Sequence, residues 1–324
     1  MPADGVFVTG GRGFVGSAVA RRLLAAGTRV AVLTRNPPEL PPEIAGRVEA
    51  VTGDFSAHEA IAGALAHCHT VVHCAKSDDP DLRRRHTSDV DGTSALLASA
   101  RAAGVRRFVH LSTISVYPTQ PSGFIDESAP YGQSTDEYAT GKRQCEDAVL
   151  ARRADFEVIV LQPANVYGPG WNWWRQELLD LMRKGRVILV NGGDGIANMV
   201  HVDDVAAAVE LAVSGRGVPG NRYLLTDGHP RPWSEYFAAL ERVVGHPATA
   251  SMSVDEAKRY SRGIRQASAF SHVTTAIARR LLRQRPIFEM EDDAIDRFAS
   301  QAVFVIDRAR RELGYEPRVT ETTL

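Results

Sequence analysis

Lysine is scarce in this 324-residue chain: of its 38 basic residues only four, at positions 76, 142, 184 and 258, are lysines. Basic and acidic residues nearly cancel, giving a formal net charge of −1. That balance, with no basic tail, removes the electrostatic case for nucleic acid as a partner. No apolar run approaches the roughly 20 residues that a bilayer-spanning helix needs. The opening Met1-Pro2-Ala3-Asp4-Gly5 has no basic segment, and the apolar stretch after it runs straight into glycines. A signal peptide is therefore not expected, and a cytoplasmic location is. Cysteine is scarce too. Cys68, Cys74 and Cys145 follow no metal-ligand spacing, and an odd count argues against a disulfide framework. They are expected to be reduced and mostly buried, Cys145 included, although it lies near Lys142.

The hydrophobic content of 44% and the charged content of 24% are those of an ordinary globule. The length suits one large domain or two closely joined ones. The first half alternates short apolar runs with amphipathic stretches. Strands are expected over 5–9, 29–33, 47–51, 70–74, 108–111 and 158–161. Helices are expected over 14–26, 57–66, 90–103 and 137–152. Such alternation implies βαβ units, an α/β class and a doubly wound parallel sheet. Beyond Pro163 prolines, glycines and a tryptophan cluster break the rhythm. A helix over 203–213 and a strand over 222–225 are expected to return to the sheet. Amphipathic helices are read over 232–244 and 274–283. The expected division is a dinucleotide-binding domain over 1–165, with return segments near 200–226, and a mainly substrate-binding part over 166–324.

The run Thr9-Gly10-Gly11-Arg12-Gly13-Phe14-Val15-Gly16 joins the first strand to the first helix. Glycines there let the backbone turn sharply and approach a pyrophosphate, while the helix N-terminus offers N–H donors. Gly10, Gly11, Arg12, Gly13, Phe14, Val15 and Gly16 are thus candidate cofactor contacts. The second strand ends in Thr34-Arg35, where NAD-binding folds place a carboxylate for the ribose hydroxyls. An arginine suits the additional phosphate of NADP, so NADP is the preferred cofactor, with NAD the alternative. Asp54, after the third strand, either meets the adenine or caps the next helix. Tyr138 and Lys142 are four apart on an expected helix and so share a face. An ammonium there favours ionisation of a neighbouring phenol, which suits a tyrosine to pass a proton to or from a substrate oxygen. By chance such a pair would occur roughly one time in ten, so its place behind the glycine run is what gives it weight.

With these motifs in hand, the chain resembles the extended short-chain dehydrogenase/reductase family. That group holds nucleotide-sugar epimerases and dehydratases, dihydroflavonol-type reductases and 3β-hydroxysteroid dehydrogenases. The residues carrying the resemblance are Thr9-Gly10-x-x-Gly13-x-x-Gly16, Gly53-Asp54, His73-Cys74-Ala75, Asp89-Val90-Asp91-Gly92-Thr93 and Leu111-Ser112-Thr113-Ile114-Ser115-Val116-Tyr117. They continue through Tyr138-x-x-x-Lys142, Pro163-Ala164-Asn165-Val166-Tyr167-Gly168-Pro169-Gly170, His201-Val202-Asp203-Asp204 and Glu312-Leu313-Gly314-Tyr315-Glu316-Pro317. The resemblance implies Tyr138 as acid/base and Lys142 as holder of the nicotinamide ribose. It implies Thr113, with Ser112 as second choice, as hydrogen-bond donor to the reacting oxygen. Pro163 and Val166 would lie near the nicotinamide, and Phe55 and Ala75 elsewhere along the cofactor. Lys76, Ser115 and Tyr167 would face substrate. A homodimer through the helices at 90–103 and 137–152 is also implied, with Ala95, Ala98, Ala102 and Ala103 permitting close approach.

Departures from the family pattern narrow the function. Asp89 stands where asparagine is usual, and Lys76 where a small residue is usual. Ile114 and Ser115 follow Thr113 in place of the Asp-Glu of the 4,6-dehydratases. Gly195-Ile196-Ala197-Asn198 lacks the arginine that grips a sugar nucleotide's diphosphate. The stretch 221–228 with Trp233 looks more like the steroid-dehydrogenase and ketoreductase branch. The expected activity is hydride exchange between a nicotinamide cofactor and a ketone or secondary alcohol on an apolar or cyclic compound. The alternatives are a nucleotide-sugar epimerase with tightly held NAD and a non-catalytic cofactor-binding module. Trp171 and Trp174, three residues apart and so on one face of a helix, either line the substrate pocket or pack the core of the second half.

Overall fold

The computed structural model describes residues 4–35, 37–54, 58–77, 81–119, 122–132, 137–169, 178–184, 187–247, 249–270 and 292–319. Its centre is a sheet of seven strands in the order β11-β7-β5-β4-β1-β2-β3, every neighbouring pair parallel. These strands are β1 (Gly5–Thr9), β2 (Val30–Thr34), β3 (Glu49–Thr52), β4 (Cys68–His73), β5 (Arg107–Leu111), β7 (Glu157–Pro163) and β11 (Arg222–Leu225). The order reverses direction at β1, which places the crevice for a ligand at the carboxyl ends of β1 and β4.

Both faces of the sheet are covered, and the strand sequences show why. On β1, Val6 and Val8 enter the core beneath α1 (Phe14–Ala25) and α6 (Val202–Val213). Phe7 points the other way, toward α2 (His58–Leu65), α3 (Leu82–Ala102) and α4 (Glu137–Leu150). A strand buried on both faces needs no polar alternation, which accounts for runs such as Val158-Ile159-Val160-Leu161, all fully buried. The segments near 203–213 and 222–225 do return to the sheet: α6 packs on α1, and β11 pairs with β7.

Among the described residues three short parallel pairs lie outside this sheet: β8 (Asn165–Tyr167) with β10 (Met199–His201), β9 (Val187–Val190) with β12 (Thr249–Met252), and β6 (Ser122–Ile125) with β13 (Gln301–Phe304). A separate apolar core forms between α5 (Leu178–Arg183), β9 and α7 (Trp233–Val244), with Met182, Trp233, Tyr236 and Leu240 buried. The helix expected over 232–244 is α7; it buries 233, 236, 237 and 240 on one stripe and stops at Gly245, whose φ of 88° suits glycine. The remaining α-helices among the described residues are α8 (Val254–Phe270) and α9 (Asp292–Ala299). The helix read over 274–283 lies outside the described residues.

One boundary differs clearly from expectation. α3 starts at Leu82, eight residues before 90, through the segment Leu82-Arg83-Arg84-Arg85-His86. A run of charges shows no apolar periodicity, so the pattern could not reveal these first two turns. No helix among the described residues is long and apolar enough to cross a membrane.

Candidate active site

The glycine loop leaves β1 at Thr9 and folds back under α1. Gly10 has φ 72°, and a side chain on it would meet the backbone of Ala75. A Cβ on Gly16 would lie 2.2 Å from the Gly10 carbonyl oxygen, so the helix can sit on the turn only with glycine there. Gly13 donates its amide to the same carbonyl at 2.8 Å. Helix α1 begins with no side-chain cap and no acidic residue in its first turn, leaving its N–H groups to an anion.

Two cavities open around this loop. The larger, about 610 Å³, is lined by Gly10, Arg12, Gly13, Thr34, Arg35 and Asp54 among others. The smaller, about 420 Å³, runs from Phe14, Val15 and Gly16 to Ser112, Thr113, Tyr138 and Lys142, closed by Pro163 and Val166. Gly10, Gly13, Cys74 and Lys76 border both, so the cavities are the two ends of one cleft. A narrow glycine waist at a helix N-terminus, with a cavity on either side, fits a dinucleotide whose pyrophosphate sits at the waist.

At the smaller end Tyr138 is 41% exposed and so open to a substrate. The Lys142 ammonium donates to the Leu111 carbonyl at 3.0 Å. Thr113 caps the turn Ile114–Val116: its hydroxyl oxygen accepts from the Ser115 amide at 3.2 Å. Ser112 and Thr113 are buried in the structure yet line the cavity. Phenol, ammonium and two hydroxyls thus border one cavity with the glycine loop, an arrangement that can bind a carbonyl oxygen and move a proton to it.

Residues 6–225 match the NAD dependent epimerase/dehydratase family. The chain belongs to that family. It is thereby an enzyme of the extended short-chain dehydrogenase/reductase group, dependent on NAD or NADP. Among its relatives is 4-hydroxy-2-methyl-3-oxo-4-farnesyl-3,4-dihydroquinoline-1-oxide ketoreductase of Stigmatella aurantiaca, 30% identical over 97% of this chain and 92% of that protein. Another is 2-alkyl-3-oxoalkanoate reductase of Stenotrophomonas maltophilia (strain K279a), 30% identical over 97% of this chain and 95% of the relative. The solved structure of DesIV, a dTDP-glucose 4,6-dehydratase from Streptomyces venezuelae with NAD and TYD bound, shares the fold. It superposes with a TM-score of 0.73, covering 98% of this chain and 92% of that one at 24% identity.

The structure distributes the expected site residues of this family enzyme as follows. Gly10, Arg12, Gly13, Arg35, Asp54, Ala75 and Lys76 border the larger end. Gly10, Gly13, Phe14, Val15, Gly16, Lys76, Ser112, Thr113, Ser115, Tyr138, Lys142, Pro163 and Val166 border the smaller. Gly11 borders neither; it packs on Val32, where a Cβ would lie 2.4 Å from a methyl group. Arg12 pairs with Glu39, both exposed. Tyr167 is buried at 3% exposure in the core around α5 and α7, its ring edge-on to His201 at 5.1 Å, and does not border the cleft. Phe55, Trp171 and Trp174 lie outside the described residues. His201 caps the start of α6: the Asp203 amide donates to His201 Nδ1 at 3.2 Å.

A buried network behind the site had no signal in the sequence. Glu146, two turns beyond Tyr138 on α4, is fully buried. It accepts from the Tyr131 hydroxyl at 2.5 Å and from Gln162 Nε2 at 3.0 and 3.1 Å. The Tyr117 hydroxyl donates to the other end of Gln162 at 2.9 Å. Burial raises the Glu146 carboxyl above its ordinary range, against these hydrogen bonds and the charge of Arg222. On the far side of the sheet ends, His73 bridges Thr9 at 2.7 Å and Thr93 at 3.1 Å. The Thr93 proton goes to the Asp89 carbonyl at 2.7 Å, so His73 Nε2 donates to Thr93 and Nδ1 accepts from Thr9. Burial, with the charge of Lys142, holds His73 down at about 3. Burial pushes the Cys74 thiol up to about 12 and raises Cys145, so neither is a ready thiolate.

Proposed function

We propose that this protein is an NADP-preferring ketoreductase acting on a small apolar or cyclic carbonyl compound. The observation that carries the reading is the smaller end of the cleft, where the exposed Tyr138, the anchored Lys142 and the hydroxyls of Thr113 and Ser112 share one cavity with the cofactor loop. Both relatives named above are reductases of an oxo group, which supports the same chemistry.

The residues of the cleft fit the cofactor. Gly10, Gly13 and the first turn of α1 would hold the pyrophosphate, and Lys142 the nicotinamide ribose. Thr34 and Arg35 stand beside the larger cavity, where a neutral hydroxyl and a guanidinium suit the additional phosphate of NADP. The bound dinucleotide would supply the hydride. Thr113 orients the substrate oxygen through its hydroxyl, with Ser112 next to it. Tyr138 gives its phenolic proton to that oxygen as the carbonyl becomes an alcohol, or takes it back in the reverse direction. Lys142 is kept in place beside this group by its bond to the Leu111 carbonyl.

A sugar-nucleotide substrate finds less support. Where an Arg-Asp pair would bring an arginine to a diphosphate, the chain has Ala197-Asn198: Ala197 is buried and carries no charge, and the Asn198 side chain is spent on β13, donating to the Ala302 carbonyl at 2.9 Å and accepting from the Phe304 amide at 3.1 Å. The test is a panel of ketones followed by NADPH absorbance. Consumption of NADPH with apolar ketones is the expected result. Conversion of UDP- or GDP-sugars with no net change in cofactor would overturn the reading in favour of an epimerase.

A further inference from the structure

We infer that Glu146 is a positioning residue for the proton transfer: its hydrogen bonds fix the helix that carries Tyr138 and Lys142 in register with the turn that Thr113 caps. The inference rests on Tyr138 as the proton donor of the proposed ketone reduction and adds what holds that donor in place.

Glu146, Tyr131, Gln162 and Tyr117 are not among the described residues that line the smaller cavity, so they reach it only through their neighbours. Glu146 follows Lys142 by four positions and Tyr138 by eight, which puts the three on one side of α4. Gln162 immediately precedes Pro163, which closes the cavity. Tyr117 ends the turn Ile114–Val116 that Thr113 caps. Tyr131 precedes Gly132, whose amide donates to the Val116 carbonyl of the same turn at 2.8 Å. One buried carboxylate thus joins the three segments that border the reacting end of the cleft.

The joint has a fixed geometry. Glu146 Oε1 accepts from the Tyr131 hydroxyl at 2.5 Å and from Gln162 Nε2 at 3.0 Å, and Gln162 turns its own oxygen to the Tyr117 hydroxyl at 2.9 Å. The Arg222 guanidinium stands 4.0 Å from Oε1 and over the Tyr131 ring, 4.9 Å from its centroid, and offsets the buried charge. Val149 of the same helix packs in one apolar core with Val158 and Val160 of β7. Apolar packing holds α4 down but is non-directional, so on its own it permits a slide. Hydrogen bonds are directional. A buried carboxylate is a poor source of stability compared with an apolar side chain of the same volume, so what Glu146 contributes is register. With Lys142 bonded to the Leu111 carbonyl at 3.0 Å, α4 is pinned at two points about one turn apart.

The test measures kcat, KM and NADPH affinity for Glu146→Leu, Glu146→Gln and Tyr117→Phe, on whichever ketone or sugar nucleotide the wild type converts. Glu146→Leu is expected to lower kcat by about 10- to 100-fold, the scale of a misplacement of about 1 Å, with KM and NADPH affinity little changed. Glu146→Gln keeps an oxygen for Tyr131 and Gln162 and should restore most of the rate. Tyr117→Phe cuts the link to the Thr113 turn without touching a charge, and should lower kcat in the same manner by a smaller factor. Wild-type kcat in folded Glu146→Leu would overturn the inference; if that variant does not fold, wild-type kcat in Tyr117→Phe would do so. A loss in Glu146→Leu that falls on NADPH affinity as well as kcat, and that Glu146→Gln does not recover, would also overturn it, since that pattern marks a general loosening of the fold. Conversion of a sugar nucleotide in place of a ketone would sink the ketoreductase reading, while the same kcat comparison still decides the role of Glu146. If the wild type converts neither, hydrogen exchange of the NADPH-loaded protein decides: Glu146→Leu should speed exchange over 112–117 more than over 5–9, and equal change in both would count against the role.

Discussion

The Lys142 ammonium reaches from α4 to the backbone carbonyl of Leu111, the last residue of β5, at 3.0 Å. This bond clamps the helix that carries Tyr138 onto the strand that runs into Ser112 and Thr113. One lysine therefore sets the spacing between the phenol and the two hydroxyls, besides bringing its charge to the site.

Removing the phenolic proton isolates the chemistry. Tyr138→Phe should leave NADPH binding largely intact and lower turnover by roughly 10²–10⁴-fold, the usual range for general acid–base catalysis. Turnover equal to that of the wild type would rule out Tyr138 as the acid/base.

Cofactor choice should lie with Arg35. Titration is expected to show tighter binding of NADPH than NADH, and Arg35→Ala should erase most of that gap with little effect on NADH. The arginine is exposed at the edge of the larger cavity, so folding should not suffer from the change. Equal affinities in the unmutated protein would remove the phosphate role.

Acid stability should depend on His73. Its folded value of about 3 lies below the 6.5 of the unfolded chain. Between these values the unfolded state binds the proton more readily, so stability is full above pH 6.5 and falls as the pH drops toward 3. By pH 5 this single group should cost about 2 kcal/mol. His110, also lowered by burial, acts in the same direction. Urea unfolding at pH 7 and pH 5 should show a smaller difference for His73→Gln than for the wild type. Identical differences would mean that His73 does not set the slope.

The helix pair α3 and α4 is proposed as a dimer contact. Ala98 and Ala102 lie one turn apart on α3 and are exposed, which leaves room for a second copy to approach closely. Light scattering at micromolar concentration should give a dimeric mass, and Ala98→Arg a monomeric one. A monomeric wild type would refute the contact.

The sequence by itself determined the sheet, the cofactor loop and the pair that points to proton transfer. Those features are local: a strand buried on both faces reads as a continuous apolar run, a tight turn demands glycine, and residues four apart share a helix face. It could not show where α3 begins, because Arg83-Arg84-Arg85 leaves no apolar stripe. It suggested Tyr167 as a substrate contact, yet the fold buries that ring against His201 and the second core. Only the tertiary structure brought Glu146, Gln162 and Tyr117 together behind the site, since a buried carboxylate is recognised by its donors, and these come from separate elements. Only the tertiary structure laid Lys76 over Tyr138, 62 positions away in the chain, because that meeting depends on the crossover that sets β4 beside β5 and α4 above them.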